Sequence, residues 1–277
     1  MNEYIPEIGI TDTRNIINVV KELHNYDFSN YALTSFKRML EKVIYDNNLK
    51  TSETLILKLK NDKSFLDIFL KQVTVEETEM FRDPSLWRML RDEILPSTLR
   101  DHAEYKIWLP ISSSGDDLYT LCIMLKEIGV SEKVKIFCSY YSEKILNSIK
   151  NGDFNPKKIE ISEQNYHRYQ GKHKFSDFFT IQQQQMIRDS KLLKNTHFIK
   201  QGLHFSPPPT ANHMVIFRNQ MLYYNASLKD TIMDTINESI LPGGYLIIGI
   251  KENLKGVRTE NKFAIVSDIE SIYKKKI

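Results

Sequence analysis

The 277-residue sequence is poor in cysteine, long apolar runs and net charge, and each shortage excludes a class of protein. Its two cysteines, Cys122 and Cys138, stand in apolar surroundings without the Cys/His spacing of a metal site, so we expect buried thiols and no bound metal. No stretch approaches the roughly 18–20 apolar residues of a membrane helix. The first residues also lack the basic-then-apolar order of a signal peptide. We therefore expect a cytoplasmic protein without membrane insertion.

Charge is nearly balanced, with 38 Lys and Arg against 35 Asp and Glu and a formal net charge of +3 at pH 7. The locally basic stretches are a KRMLEK patch and the C-terminal YKKKI, and neither makes the broad basic footprint of a nucleic-acid-binding protein. We predict no nucleic-acid partner. The hydrophobic share of 41% is ordinary for a globular protein with a sizeable core, and the length suits two domains.

Helical periodicity occupies the first quarter of the chain. Apolar residues recur every three or four positions in TDTRNIINVVKELHNY, TSFKRMLEKVIYDNNL and TSETLILKLKNDKSFLDIFLKQ. This pattern predicts an all-helical domain over residues 1–72, with helix starts at capping residues such as Thr11 and Thr51. Residues 73–100 are interpreted as a connector, which ends in a helix stopped by Pro96.

After Tyr105, short apolar runs alternate with helical stretches, which predicts βαβα units and a parallel sheet. We expect residues 101–277 to form an α/β domain with a Rossmann-like, mostly parallel sheet. Gly243 and Gly244 are predicted to make a turn into a late strand. A polar segment at about 154–194, rich in Gln, His and Lys, is predicted to be an insertion that forms a small subdomain at the sheet edge.

The first strand is followed by SSSGDD, a run of small residues that leads into a helix. Doubly wound sheets bind ligands at the carboxyl ends of their strands, where small residues let the backbone approach the ligand. Gly115 and the serines before it meet this need, and Asp116 and Asp117 suit the positive end of the helix dipole. Taken alone, the pattern fits a cofactor loop and an ordinary helix cap, and both interpretations stay open.

Five segments in a fixed order carry a resemblance: YDFSNYALTSFKRM, VTVEETEMFRDPSLW, WLPISSSGDDLYTLCIMLKE, FRNQMLYYN and LPGGYLIIGIKENL. From about Tyr26 to Glu252 they resemble the chemotaxis receptor glutamate methyltransferase (CheR-type) family. The second resembles the family pattern T-x-N-x-T-x-x-F-R-D and the third resembles W-x-A-G-C-S-T-G-E-E. The last two resemble C-R-N-V-L-I-Y-F and L-x-P-G-G-Y-L-x-L-G-x-x-E. The resemblance implies a Rossmann-like methyltransferase domain preceded by a small all-helical domain.

The resemblance also implies an activity, namely methyl transfer from S-adenosylmethionine to glutamate side chains in the helical cytoplasmic region of a chemoreceptor or a similar acidic protein. Tyr223 is implied to lie beside the transferring methyl group. Lys37 and Arg38, on the second helix, are implied to face solvent and attract the acidic partner. Arg82 is implied at the methionine carboxylate, which a guanidinium binds through two parallel hydrogen bonds. The implied cofactor-binding residues are Thr78, Arg82, Gly115, Asp116, Leu203, Arg218 and Asn219.

Four positions depart from the family pattern around the cofactor. Ile111 replaces a glycine beside the methionine end, and Tyr140 stands where an acidic residue holds the ribose. Glu76 replaces an asparagine, and Gly202 replaces the asparagine that precedes Leu203. Each lost polar contact is worth about 1 kcal/mol or more, so we expect weakened cofactor binding. The alternative to an active methyltransferase is a catalytically degenerate family member that serves as a receptor- or partner-binding protein.

Overall fold

The computed structural model describes residues 6–74, 79–100, 102–182, 185–202 and 207–277. Four helices come first: α1 (Ile10–His24), α2 (Leu33–Asp46), α3 (Ser52–Asn61) and α4 (Phe65–Val73). The helix start at Thr51 is confirmed, since its hydroxyl caps α3 by accepting from the backbone N of Thr54 at 3.4 Å. The third helical segment of the sequence is divided into α3 and α4 because a turn at Asp62 interrupts it, with the Asp62 carboxylate accepting from Ser64 N at 3.0 Å.

The next helical stretch contains three consecutive segments: α5 (Pro84–Met89), a π-helical turn (Leu90–Ile94) and α6 (Leu95–Leu99). The prediction that Pro96 stops the helix is wrong. A proline lacks the N–H and its ring collides with the carbonyl four residues back in a regular α-helix. The π turn just before Pro96 has a longer hydrogen-bond spacing and changes the position of that carbonyl. The helix therefore passes Pro96 and ends at Leu99.

The remaining elements among the described residues are nine strands, four α-helices and six short 3-10 helices. The strands are β1 (Tyr105–Leu109), β2 (Val134–Tyr140), β3 (Phe179–Gln182), β4 (Gln185–Arg188), β5 (Thr196–Lys200), β6 (Asn212–Phe217), β7 (Ile240–Ile248), β8 (Phe263–Ser267) and β9 (Ile272–Lys275). The helices are α7 (Asp116–Glu127), α8 (Glu143–Asn151), α9 (Ile159–Tyr169) and α10 (Ala226–Ser239). Seven strands form one sheet in the order β5-β2-β1-β6-β7-β9-β8. Its first five strands are parallel and the last two antiparallel, which confirms the mostly parallel sheet.

The two faces of the sheet bury different helices. In β1, Ile107 and Leu109 enter a core with residues of α7 and α8, whereas Trp108 enters a core with residues of α10 and α1–α4. This alternation is the period of two that a strand imposes on its side chains. The core of the first four helices is thus continuous with one face of the sheet, and the domain boundaries near residues 72 and 100 stay a prediction.

The polar segment at about 154–194 contains α9 and an antiparallel hairpin in which Phe179 of β3 faces Arg188 of β4. Its status as a separate subdomain stays a prediction. The predicted turn at Gly243 and Gly244 is wrong, because both residues lie within β7. Gly243 has a φ of +77° there, and the register between β6 and β7 shifts at this level, so the pair marks a bulge.

Both cysteines are buried and free, as predicted. Across the described ranges, no helix combines the length and the apolar character that a membrane span requires.

Candidate functional site

The parallel strands β1, β2, β6 and β7 end at one edge of the sheet, and the loop after β1 is tightly packed there. Ser112 and Ser113 are buried. Gly115 caps α7 with a φ of +81°, where any side chain would be strained. A Cβ at this position would also lie 3.2 Å from the Cγ1 atom of Ile149. The backbone therefore requires glycine at residue 115.

Arg82 is held at the same edge by unusual backbone on both sides. Phe81 and Asp83 have φ values of 53° and 58°, in the left-handed region that side chains other than glycine rarely adopt. The N of Phe81 donates to Thr120 Oγ1 at 2.9 Å, and the carbonyl of Arg82 accepts from Trp87 Nε1 at 3.0 Å. Such strain persists only where the surroundings enforce it. The Arg82 side chain is 26% exposed, and its Nε lies 4.0 Å from Asp83 Oδ2.

Arg218, the residue after β6, is the centre of a buried charge network. Its Nη1 donates to Asp117 Oδ1 at 2.7 Å, and its Nη2 donates to Asp83 Oδ2 at 2.5 Å and to the carbonyl of Arg82 at 3.2 Å. Its side chain is 1% exposed. Burial raises the pKa of Asp117 above its ordinary value, and the guanidinium of Arg218 opposes this rise. The network joins residues 82–83, the start of α7 and the end of β6.

Asn219 is fixed by a buried glutamate. It has a φ of 60°, and its backbone N donates to Glu252 Oε2 at 2.8 Å. Glu252 also accepts from Gly249 N at 2.8 Å and from Met221 N at 2.7 Å. Burial raises the pKa of the Glu252 carboxyl, while these backbone donors oppose the rise. A Cβ at Gly249 would lie 2.6 Å from Asn219 Nδ2, so the amide side chain lies against the end of β7.

Tyr223 belongs to a short 3-10 turn (Met221–Tyr223) and is half-buried. Its carbonyl accepts from Ala32 N at 2.7 Å, which ties this turn to the segment that begins α2. Its ring packs on the core shared with the first four helices. Hydrogen bonds therefore link these site residues in two steps. Arg218 bonds the carbonyl of Arg82, and Glu252 joins Asn219 to the turn that contains Tyr223.

Asp116 is 2% exposed and both of its carboxylate oxygens contact protein groups. Oδ1 accepts from Arg188 Nη1 at 2.9 Å, whereas Oδ2 accepts from Ser114 Oγ at 2.7 Å and lies 3.5 Å from Lys158 Nζ. A cofactor contact of Asp116 stays a prediction. Beside this cluster lies a cavity of about 270 Å³, lined by Lys71, Ser113, Ser114, Asp116, Ser148, Asp153, Phe154, Asn155 and Lys158.

The end of β2 offers neutral polar groups in place of a carboxylate. Tyr140 ends the strand and its carbonyl accepts from Gln201 N at 2.9 Å. The hydroxyl of Ser139 accepts from Trp108 Nε1 at 2.8 Å and donates to Gln201 Oε1. Ile111 is 8% exposed and packs into the core shared with the first four helices. Its side chain therefore fills space between the loop after β1 and those helices.

Some predicted residues lie outside the described residues or in other surroundings. Thr78, Leu203 and Glu76 are outside the described residues. Arg38 is exposed as expected. Lys37 is at the surface but partly covered: its side chain is 23% exposed, and its Nζ lies 3.3 Å from carboxylate oxygens of Glu7 and Glu41. Partner binding by Lys37 and Arg38 stays a prediction.

Three residues of the site were not singled out from the sequence: Arg188, Gln201 and Glu252. Glu252 had a signal, because it is the last position of the LPGGYLIIGIKE motif. Arg188 and Gln201 are in polar stretches without any motif, and their partners are 72 and 62 residues away in the chain. No local pattern could have indicated them.

These residues fit one end of S-adenosylmethionine better than the other. The partly exposed side chain of Arg82 and the tight loop at Gly115 suit the methionine end, where a carboxylate needs donors and the backbone must approach closely. At the end of β2, a ribose diol would meet Tyr140 and the Ser139–Gln201 pair, whose polar groups are neutral. Cofactor contacts of Arg82 and Gly115 stay a prediction.

Comparisons with known proteins show a family and several relatives to which this chain is similar. Residues 76–269 match the family described as CheR methyltransferase, SAM binding domain. The chain is 26% identical over 264 residues to Cher3 of Pseudomonas putida, covering 95% of this chain and 96% of that protein. It is 25% identical over 252 residues to the chemotaxis protein methyltransferase of Listeria monocytogenes, covering 88% and 93%. The solved N-methyltransferase NodS of Bradyrhizobium japonicum with S-adenosyl-L-homocysteine has a TM-score of 0.33 and 10% identity, over 71% of this chain and 70% of that one.

Proposed function

Because this chain belongs to the CheR methyltransferase family, whose cofactor is S-adenosylmethionine, we propose that it methylates glutamate side chains in the helical cytoplasmic region of a chemoreceptor. The relative from Listeria monocytogenes and one from Vibrio cholerae are named chemotaxis protein methyltransferases. The observation that carries the proposal is the buried Arg218 network, which holds Arg82 at the sheet edge within the matched residues.

The chemistry requires positioning more than activation. When bound, the cofactor would supply a methyl group on a sulfonium. A carboxylate oxygen would form a bond to that methyl carbon as its bond to sulfur breaks, which gives a methyl ester and S-adenosylhomocysteine. A glutamate carboxylate is already a nucleophile at neutral pH, so the protein does not have to remove a proton. Alignment of the two reactants supplies most of the rate, because effective molarities of well-oriented groups are large.

The residues at the edge have separate tasks in this proposal. Arg82 pairs with the methionine carboxylate, and the Arg218 network fixes the backbone on which Arg82 stands. Asn219 and Tyr223 line the place of transfer, held by Glu252 and by the hydrogen bond from Ala32. Tyr223 presents a half-buried ring and hydroxyl, which suits the boundary between the cofactor and an entering glutamate.

The test is a methylation assay with methyl-labelled S-adenosylmethionine and the cytoplasmic fragment of a chemoreceptor from the same organism. Methyl esters release labelled methanol in base, which separates glutamate methylation from transfer to nitrogen. We expect base-labile label with the wild type, a lower kcat for Tyr223→Phe, and wild-type turnover for the neighbouring Tyr224→Phe, whose ring is buried against Tyr31.

Two results would count against the proposal. Binding of the labelled cofactor without base-labile product would favour another acceptor. Receptor binding without any cofactor binding would favour the degenerate, partner-binding alternative, for which the neutral end of β2 at Tyr140 and Ser139 is the relevant observation.

A further inference from the structure

Arg188 is the last residue of β4, and its burial is unusual for its position. The hairpin around it is solvated, since the residues of β3 and the rest of β4 are exposed or half-buried. Arg188 is 1% exposed and is among the largest fully buried side chains. Burying a guanidinium is costly unless it is paired and hydrogen-bonded, so its contacts identify what it holds.

Those contacts converge on the loop after β1. Nη1 donates to Asp116 Oδ1 at 2.9 Å, and Nη2 donates to the carbonyls of Ser114, at 2.6 Å, and Asp153. The guanidinium also lies 4.3 Å from the ring centre of Tyr119. One side chain of the inserted hairpin therefore binds the loop, the first turn of α7 and the segment after α8.

The backbone docks independently of this charge pair. The N of Arg188 donates to the carbonyl of Gly152 at 2.8 Å, at the end of α8. Gly152 has a φ of +77°, and a Cβ there would lie 2.1 Å from the carbonyl oxygen of Arg188. Only glycine permits this close approach. The backbone at the end of β4 is thus fixed against α8, separately from the contacts that the Arg188 side chain makes with the loop.

We propose that Arg188 is a positioning residue for the cofactor site, which holds loop 112–115 and the start of α7 through the Asp116 carboxylate and the Ser114 carbonyl. The inference rests on the proposed function in taking this loop as part of the cofactor site. Asp117, the next residue, is held from the other side by Arg218. The consecutive carboxylates at the start of α7 therefore each have a buried arginine, one from the hairpin and one from β6.

The coupling has two directions. If the hairpin fixes the loop, a ligand that orders the loop must also stabilise the hairpin by the same free energy. Amide exchange at residues 179–182 and 185–188 should therefore slow when S-adenosylhomocysteine binds the wild type. In the free protein, Arg188→Met should speed exchange at residues 112–118.

The experiment is a calorimetric titration of the wild type, Arg188→Lys and Arg188→Met with S-adenosylhomocysteine, each well below its melting temperature. We expect Arg188→Met to raise Kd by about tenfold or more, because a charge-assisted contact and a carbonyl contact to the loop are lost together. Arg188→Lys should be intermediate, since an ammonium pairs with Asp116 but cannot also span two carbonyls. With S-adenosylmethionine, KM should rise while kcat at saturation stays within about twofold.

A double-mutant cycle asks whether Arg188 acts through Asp116. The variant carrying both Arg188→Met and Asp116→Asn should bind S-adenosylhomocysteine as weakly as the weaker single variant, and not as weakly as the product of both effects predicts. Multiplicative effects would mean that Arg188 acts by another route and would overturn the proposal.

Arg91→Met is the matched control. Arg91 is 11% exposed, pairs with Asp92, donates to the carbonyls of Tyr169 and Gln170 and lies 4.6 Å from the Tyr169 ring centre, so it joins its own helical stretch to the end of α9. It should lower the melting temperature and leave Kd unchanged. Wild-type affinity in both Arg188 variants would overturn the inference and leave the proposed function intact. No binding by the wild type would overturn both.

Discussion

Replacing Arg218 by methionine removes the cation from the centre of the buried network at the end of β6. The side chain is 1% exposed and bonds Asp117, Asp83 and the carbonyl of Arg82. Methionine has a similar length and keeps contact with Trp87, so the change tests charge more than volume. The two carboxylates then face each other without a buried counter-charge.

The size of the effect follows from this burial. Breaking a buried ion pair by removing one partner costs about 3–5 kcal/mol, because the remaining charge is left uncompensated. For a chain of this length, each kcal/mol lost from the free energy of unfolding lowers the melting temperature by about 2 °C. We therefore expect the melting temperature at pH 7 to fall by about 6–10 °C.

The deficit should depend on pH with a definite sign. Burial already raises the pKa of Asp117 above 3.8 in the presence of Arg218, and removing that cation raises the pKa further. A carboxyl whose folded-state pKa is raised contributes stability below its unfolded pKa and loses it as pH rises through the folded value. The difference between Arg218→Met and wild type should thus be smallest near pH 4 and should grow towards neutral pH.

Thermal unfolding followed by circular dichroism at pH 4 and pH 7 measures both effects. Arg258→Met is the control, because Arg258 is 67% exposed and its pairs with Asp230 and Asp234 are at the surface. Exposed pairs contribute little, so this control should melt within about 2 °C of the wild type. An equal deficit at both pH values, or one no larger than that of the control, would refute the argument about buried charge.

Three further predictions concern other parts of the molecule. Tyr140→Asp combined with Ile111→Ala should tighten S-adenosylhomocysteine binding in calorimetry, because aspartate adds two acceptors for the ribose. Alanine is chosen over glycine at residue 111 because Ile111 is in the core, where a smaller side chain leaves a larger cavity. Glu252→Gln should lower the melting temperature in calorimetric scans by several degrees, because an amide NH₂ replaces an oxygen that accepts from backbone N–H groups. Charge reversal at Arg38 should slow association with an acidic receptor fragment in low-salt stopped-flow measurements, and reversal at Lys37 should have less effect, because two glutamates already pair with it.

The central part of the sheet was predictable because its strands are buried. β1, β2, β6 and β7 appear in the sequence as apolar runs, and α10 appears as a periodic segment between two of them. The hairpin strands β3 and β4 and the outer strands β5 and β8 were missed. Their side chains are largely exposed, so they lack the apolar pattern from which a strand is inferred.

The site was predictable where its residues are neighbours in a motif. Gly115 followed from the loop pattern, and Arg82, Arg218, Asn219 and Tyr223 followed from the resemblance. Their partners were less predictable. Glu252 had a motif signal, but its contact with Asn219, 33 residues away, had none, and Arg188, 72 residues from Asp116, had no signal at all. A charge pair between distant segments depends on the tertiary fold and leaves no local periodicity.

The arrangement of charges explains why the loop tolerates two consecutive buried aspartates. Neither carboxylate has to stay unpaired, because the helix dipole and a separate arginine stabilise each one. Two further cations lie next to carboxylates of this cluster: Lys158 Nζ is 3.5 Å from Asp116 Oδ2, and Arg82 Nε is 4.0 Å from Asp83 Oδ2. Arg82 is the most exposed of the three arginines in the cluster, and its pairing with a methionine carboxylate stays a prediction. The anions are Asp83, Asp116 and Asp117, and the cations are Arg82, Lys158, Arg188 and Arg218.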